Sequence, residues 1–305
     1  MSRLDFLTFR RSLGRTPPLE RMTVRVRGVD LAVFTSPPVA EATPLLLING
    51  GLIFDHTLLW PALSPLAAGR QVILYDQRGR GASQPPPNPL DARIEDDADD
   101  VGALRRALGI RQWDVLGHSW GGGIAMLGVA RDLAGTRRLV TVDAVGPTSE
   151  WMPVLHEVQR SRLIGGDLAA LQQMSDAALH APDPGVHSTH GRLVYPAWFA
   201  DPELAAFFKA PASVSVTGAA VVARLRREGY DWRKRLRALC TPVLVIHGER
   251  DALPVAVSLE LVELLPRALH TLLPDAGHMP FWEAPALFFD AVTAFLDAST
   301  AGLRR

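Results

Sequence analysis

Three residues of this sequence, Ser119, Asp251 and His278, have the side chains needed for acyl transfer through a covalent intermediate. A serine hydroxyl is a weak nucleophile and needs a base within hydrogen-bonding reach, a role that histidine can fill near neutral pH. A carboxylate beside the histidine would fix the imidazole tautomer and stabilise the imidazolium that forms. We therefore predict that Ser119 is a nucleophile, His278 its base and Asp251 the orienting acid.

The surroundings of Ser119 support this prediction. It is the centre of GHSWG, residues 117–121, which lies between an apolar run that favours a strand and the run 124–130 that favours a helix. A serine between a strand and a helix occupies a sharp turn that raises its hydroxyl above the end of the sheet. The flanking glycines fit because a strained turn leaves little room for Cβ atoms.

Asp251 and His278 each occupy a loop just after an apolar, β-rich run, so each is expected at the end of a strand. Glu249 is an alternative acid in the same loop as Asp251. His118 and His247 are other candidate histidines, which we interpret as packing against or ending the sheet. The chain order is Ser, Asp, His, which differs from the orders of chymotrypsin and subtilisin.

The elements that must position these residues alternate between strands and helices, which favours a parallel sheet covered on both faces. A hairpin is predicted at 23–34, and strands follow near 44–49, 71–76, 112–117, 138–143, 242–247 and 268–273. Helices are predicted near 56–68, 93–108, 120–134, 255–265 and 284–298.

Residues 147–236 break this rhythm, with helical pieces predicted near 154–164, 167–180, 201–209 and 219–228. We predict a core domain formed by residues 1–146 and 237–305, with residues 147–236 as a separate helical domain.

Together these motifs resemble the α/β-hydrolase-fold serine hydrolases, and most closely their proline iminopeptidase-like branch. The resemblance rests on Gly50-Gly51 after a strand, on DQRGRGAS at 76–83, on GHSWGG at 117–122, and on the chain order Ser, Asp, His. It covers nearly the whole chain outside residues 147–236. It implies a mostly parallel eight-stranded sheet with helices on both faces and a helical cap inserted after strand 6.

The resemblance also implies an oxyanion hole made by the backbone N–H groups of Trp120 and Gly51. Two positions depart from the branch pattern, since Asn49 stands where a histidine is usual and Phe199 where iminopeptidases carry a glutamate for the substrate amine. Asp201 and Glu203 are the carboxylates near that position.

Aromatic residues of the 147–236 segment, Trp151, Trp198 and Phe199, are predicted to contact substrate, although packing within the segment would explain them equally. His187 and His190 could share a helix face, but no nearby ligand pattern completes a zinc site. We predict no metal and no cofactor.

Two charged runs have structural explanations. The acidic run that contains Asp97 and Asp100 is expected to complement a helix dipole. The basic run from Arg224 to Arg237 is expected to be the solvated face of helices with buried apolar sides. Recognition of an acidic substrate or partner is the alternative for the basic run.

Composition narrows the class of protein further. The 305 residues are 48% hydrophobic and 21% charged, with 32 basic and 32 acidic residues, so no net charge favours nucleic acid or an anionic membrane as partner. The single cysteine, Cys240, precedes a buried strand and is interpreted as a small core residue in a reducing compartment. No signal peptide or membrane span is visible. We expect a cytoplasmic monomer or homodimer.

The sequence thus predicts hydrolysis of a carboxylic ester or related acyl bond in a small-molecule ester, amide or short peptide. The first alternative is a proline iminopeptidase-like aminopeptidase. A second is a non-catalytic ligand-binding protein that has kept the fold. A cofactor-free haloperoxidase would use the same three residues.

Overall fold

The computed structural model describes residues 3–14, 16, 18–208 and 214–299, and its centre is one eight-stranded sheet. The strand order is β1-β2-β4-β3-β5-β6-β7-β8. β1 and β2 form an antiparallel hairpin, β2 pairs antiparallel with β4, and all other neighbours are parallel. The strands are β1 Glu20–Val26, β2 Val29–Thr35, β3 Leu45–Ile48, β4 Val72–Tyr75, β5 Trp113–His118, β6 Thr136–Val142, β7 Val243–Gly248 and β8 Ala268–Leu273.

Both faces of the sheet are buried, as the apolar runs predict. Along β3, Leu46 and Ile48 belong to one apolar cluster, and Leu45 and Leu47 belong to the other, because successive side chains point to opposite faces. The described helices are α1 Arg3–Leu13, α2 Ile94–Ala107, α3 Trp120–Arg131, α4 Met152–Arg162, α5 Gly165–Gln172, α6 Asp176–His180, α7 Pro184–Val194, α8 Pro202–Ala205, α9 Val216–Glu228, α10 Arg233–Leu236, α11 Val255–Leu264, α12 Pro280–Glu283 and α13 Pro285–Asp297. Helices α2, α3 and α11 cover the first face, while α1 and α13 cover the second. The predicted eight-stranded, mostly parallel sheet is therefore confirmed.

Between β6 and β7 the chain forms the insertion, residues 147–236, in which the described residues contain α4 to α10 and no strand. It has a small apolar cluster of its own, built from Leu163, Leu171, Leu193, Val194 and Ala197. The predicted helix at 201–209 is reduced to α8, and its last residue lies outside the described residues. The division into two domains stays a prediction.

Several local predictions were wrong for physical reasons. Residues 56–68 form two 3-10 turns rather than one helix, with Pro61 and Pro65 interrupting the hydrogen-bond ladder. Helix α7 was not among the predicted helical pieces. It forms because Asp183 caps it and Pro184 takes the first helical position, where a missing N–H does no harm. Helix α1 was not predicted.

Cys240 is exposed, so its interpretation as a core residue is wrong. It lies in the loop between α10 and β7, before the apolar strand begins. Among the described helices, none combines the length and the apolar composition that crossing a bilayer requires.

Candidate active site

Ser119 lies on the turn between β5 and α3. Its backbone angles are φ 56° and ψ −125°, a region that residues other than glycine rarely adopt. Its neighbours leave room for this geometry only because they lack side chains. A Cβ on Gly50 would lie 2.6 Å from the Ser119 Cβ, and a Cβ on Gly121 would lie 2.2 Å from the Ile48 carbonyl oxygen. The predicted strand–turn–helix context of Ser119 is present.

Asp251 and His278 are brought together at the ends of β7 and β8. The Nδ1 of His278 lies 2.7 Å from Oδ2 of Asp251, and Oδ1 of Asp251 accepts the Leu253 N–H at 3.0 Å. Glu249, the alternative acid, is exposed and accepts the backbone N–H of Asp275 instead. Asp251 is thus the carboxyl that orients His278.

The insertion holds the other side of His278. Trp198 stacks on the imidazole with ring centroids 3.9 Å apart, and its carbonyl accepts the His278 N–H at 2.8 Å. The buried carboxyl of Glu283 accepts the N–H groups of Ala200 at 2.7 Å and Gly277 at 2.9 Å. These contacts join residues 198–200 of the insertion to the loop that carries His278.

Burial sets the protonation of His278. It lowers the pKa of the imidazole below its usual 6.5, and the Arg162 guanidinium lowers the pKa further. The ring is therefore neutral at pH 7, the form that can accept a proton. With Nδ1 facing Asp251, the proton of the neutral ring belongs on Nδ1, which leaves Nε2 free to act as the base.

Asp143 is a buried acid that the sequence prediction missed. It follows β6, has φ 45°, and accepts the Gly248 N–H at 2.7 Å. Carboxyl oxygens of Asp143 and Asp251 lie within 4.8 Å of each other, so the two buried acids interact directly. Burial raises the pKa of Asp143 well above its usual value, and the Asp251 charge raises it further, so Asp143 carries the proton. Its signal in the sequence was a carboxyl directly after a parallel strand.

Gly51 and Trp120, the predicted oxyanion-hole donors, line the same cavity as Ser119. Gly51 has φ 79°, and its backbone N–H, like that of Trp120, donates to no protein acceptor within the described ranges. Asn49 replaces the expected histidine and holds this loop instead. Its amide donates to the carbonyls of Gly50 at 3.1 Å and Phe54 at 3.2 Å.

A cavity of about 130 Å³ lies over Ser119 and His278, between the sheet and the insertion. Trp151 and Trp198, two of the residues that we predict to contact substrate, line this cavity. Phe199 does not. Its ring is buried against Phe208, 4.7 Å away, because Trp198 takes the cavity side of this turn.

The carboxylates considered for an amine-binding site lie elsewhere. Asp201 caps α8 by accepting the Glu203 N–H, and neither residue lines the cavity. Among the described residues that line this cavity there is no aspartate or glutamate. His187, one of the two histidines weighed as zinc ligands, has its Nε2 2.8 Å from the Ala181 carbonyl oxygen.

His118 packs behind His278, and its Nε2 donates to the His278 carbonyl at 2.8 Å. Burial lowers its pKa to about 3, against 6.5 for an exposed histidine. Below pH 6.5 the His118 imidazole binds a proton in the unfolded chain but not in the native state. The native state therefore loses stability as the pH falls toward 3. The proton uptake of the unfolded state is worth about 2 kcal/mol at pH 5.

We therefore expect His118→Gln to gain about 2 kcal/mol of unfolding free energy relative to the wild type between pH 7.5 and pH 5. Urea unfolding at several pH values measures this difference. A difference that does not change with pH would contradict a neutral buried His118.

Comparison with known proteins places the chain in a family. The alpha/beta hydrolase fold family model matches residues 43–285. A proline iminopeptidase from Levilactobacillus brevis is 26% identical over 280 residues, which cover 84% of this chain and 89% of that protein. A 2-hydroxymuconate semialdehyde hydrolase from Pseudomonas sp. strain CF600 is 30% identical over 281 residues, covering 85% and 88%.

Solved structures agree in fold. The crystal structure of VinJ, 22% identical, matches with a TM-score of 0.74 over 92% of this chain and 99% of that one. The family match spans most of the sequence, including the Ser119 turn and both partner loops. The chain therefore belongs to the alpha/beta hydrolase fold family, near its proline iminopeptidase branch.

Proposed function

We propose that this protein hydrolyses a carboxylic ester or related acyl bond through an acyl-serine intermediate. The observation that carries the proposal is the 2.7 Å contact between Asp251 and a buried His278, in a cavity that Ser119 also lines. A neutral, oriented imidazole beside a serine on a strained turn supplies both nucleophile and base.

The chemistry runs in two halves. Nε2 of His278 takes the hydroxyl proton as Ser119 Oγ attacks the acyl carbon, and the N–H groups of Gly51 and Trp120 stabilise the oxyanion. The tetrahedral intermediate collapses, the leaving group departs with the proton from His278, and the acyl group stays on Ser119. Water then attacks the acyl carbon while His278 takes its proton. As the second tetrahedral intermediate collapses, His278 gives that proton to the departing Ser119 Oγ, which releases the acid and the free serine.

The residues around this pair have supporting roles in the proposal. Asp251 holds the imidazole and stabilises the imidazolium formed in each half. Asp143, protonated, donates a hydrogen bond to Asp251 and fixes the orientation of its carboxyl. The insertion serves as a cap that keeps bulk water from the acyl-enzyme and supplies Trp151 and Trp198 as apolar walls.

Aminopeptidase activity is the second candidate, and relatives named proline iminopeptidase favour it. It requires a group that compensates the desolvation of a substrate ammonium, such as a carboxylate. The absence of acidic side chains among the described lining residues favours the ester reading.

The test is turnover of two matched substrate sets, short-chain p-nitrophenyl esters and the p-nitroanilides of proline and alanine with free amines. We expect ester cleavage, little anilide cleavage, and no activity above background in Ser119→Ala, which controls for contaminating hydrolases. A strong preference for the proline anilide would move the assignment to an aminopeptidase.

A fluorophosphonate probe addresses the non-catalytic alternative in the same preparation. We expect labelling of the wild type at Ser119 and none of Ser119→Ala. Folded wild-type protein that neither labels nor turns over either substrate set would contradict acyl-serine chemistry.

A further inference from the structure

The insertion end of the cavity over Ser119 carries a second cluster of polar side chains. There the cavity adjoins another of about 250 Å³, and both are lined by Met152, His156, Gln159, His190 and Arg226. These residues come from α4, α7 and α9, three helices that pack around one space. The boundary between the two cavities is therefore polar, while the walls nearer to Ser119 are largely apolar.

The polar groups at this boundary lack protein partners. Gln159 is only 2% exposed, yet its amide has no hydrogen bond within the described part of the chain. The same holds for the imidazoles of His156 and His190, whose rings meet edge to face at 6.2 Å, and for the guanidinium of Arg226. Gln159 is buried, and the other three side chains are partly exposed. Polar side chains that line one cavity without protein partners are available to bind a ligand there.

The lack of a hydrogen-bond partner is not shared by the neighbouring arginines of α9. Arg224 pairs with Glu228 at 3.1 Å, and Arg227 donates to the His180 carbonyl at 2.8 Å. Only Arg226 turns toward the cavity without an ion pair among the described residues. Asp176 attracts it electrostatically from the exposed rim, where Arg160 adds a further positive charge.

The charge of the cluster is positive at neutral pH. Burial lowers the pKa of Arg226 to about 10, so the guanidinium keeps its proton. Burial also lowers the pKa of His156 to about 4 and that of His190 well below 6.5, so both rings are neutral. The site thus offers one cation, several N–H donors and no described carboxylate within the main cavity.

We infer that Arg226, Gln159, His156 and His190 bind a carboxylate, so that the substrate carries this group on the part remote from the scissile acyl bond. The planar fork of arginine matches a carboxylate with two parallel hydrogen bonds. An ammonium in the same place would be repelled by the Arg226 guanidinium, whose carboxylate neighbour Asp176 lies at the exposed rim. The inference rests on the proposed acyl transfer at Ser119 and names its substrate class.

Paired esters test this inference. The first is the p-nitrophenyl hemiester of adipate, which has a free carboxylate, and the second has that carboxyl capped as a primary amide of almost the same shape. We expect kcat/KM to favour the carboxylate in the wild type, and the preference to fall about 30-fold or more in Arg226→Gln. Arg227→Gln, on the exposed side of α9, is the control and should keep the preference.

Binding separates this inference from the proposed reaction. In Ser119→Ala, calorimetry should give tighter binding of the carboxylate ester than of the amide-capped ester. Equal binding of both would overturn the carboxylate site and leave acyl transfer standing. Selective binding without wild-type turnover would overturn the proposed function and keep the site. Because this comparison needs no change at Arg226, it holds even if Arg226→Gln does not fold.

Discussion

Replacing Ser119 with alanine is expected to lower kcat on the preferred ester by about 10⁶-fold, and adding Asp251→Asn to that variant should lower it no further. Asp251→Asn alone is expected to lower kcat by about 10⁴-fold, because an asparagine amide facing Nδ1 favours the wrong imidazole tautomer. When two residues act in the same catalytic step, removing the second costs little once the first is gone. The double variant therefore tests whether Ser119 and Asp251 act together.

The structure offers a matched control for the acid. Glu249 lies two residues before Asp251 in the same loop but is exposed, and Glu249→Gln should keep kcat within a factor of about two. Thermal unfolding should show that all variants remain folded. Additive losses in the double variant, or a large loss in Glu249→Gln, would contradict the assigned roles.

Replacing Arg80 with methionine is expected to lower the free energy of unfolding by about 3–5 kcal/mol at pH 8. Arg80 and Asp97 are both fully buried and form two hydrogen bonds of 2.9 Å each. Without Arg80 the carboxylate of Asp97 would be buried and unpaired. Exposed Arg25, paired with Asp30 at 3.0 Å, is the control, and Arg25→Met should change stability by less than about 1 kcal/mol.

The sign of the pH effect in Arg80→Met also follows from Asp97. Burial raises its pKa to about 6 even with Arg80 present, and removing the cation raises it further. A native carboxyl with a raised pKa gains stability as the pH falls, so the loss measured in Arg80→Met should be smaller at pH 5.5 than at pH 8. A loss that grows on acidification would contradict this account.

A double variant separates stability from activity. Arg80→Met combined with Asp97→Leu leaves no unpaired charge and should recover most of the lost stability. It should not recover full activity, since Nε of Arg80 also donates to the Leu52 carbonyl at 2.7 Å, beside the Gly51 donor. Urea unfolding and ester turnover on the same preparations measure the two effects.

The strands of the sheet could be predicted from the sequence, and so could the loops that carry Ser119, Asp251 and His278, because both depend on local signals. Apolar runs fix the strands, and a serine between glycines at a strand end fixes the turn. From the sequence, the acidic run of α2 is explained only by its interaction with the helix dipole. In the structure Asp97 and Asp100 face inward and pair with Arg80 and Arg78, a tertiary contact that no local pattern reveals.

Which side chains of the insertion line the cavity could not be predicted from the sequence, for a related reason. Arg226 lies in a run of arginines with the same local pattern, and only the packing of α4 and α7 against α9 turns it toward the cavity. Trp198 and Phe199 are adjacent aromatics, and the backbone of one turn decides which of them lines the cavity. Both outcomes depend on how helices of the insertion meet, which residue types do not specify.

The contacts that join Trp198 and Ala200 to the His278 loop limit how the active site can open. Lifting residues 198–200 of the insertion would break the hydrogen bond from the Ala200 N–H to Glu283 and the one from the His278 N–H to the Trp198 carbonyl, and would displace His278. An opening motion that keeps His278 in place must therefore leave residues 198–200 in contact with the His278 loop.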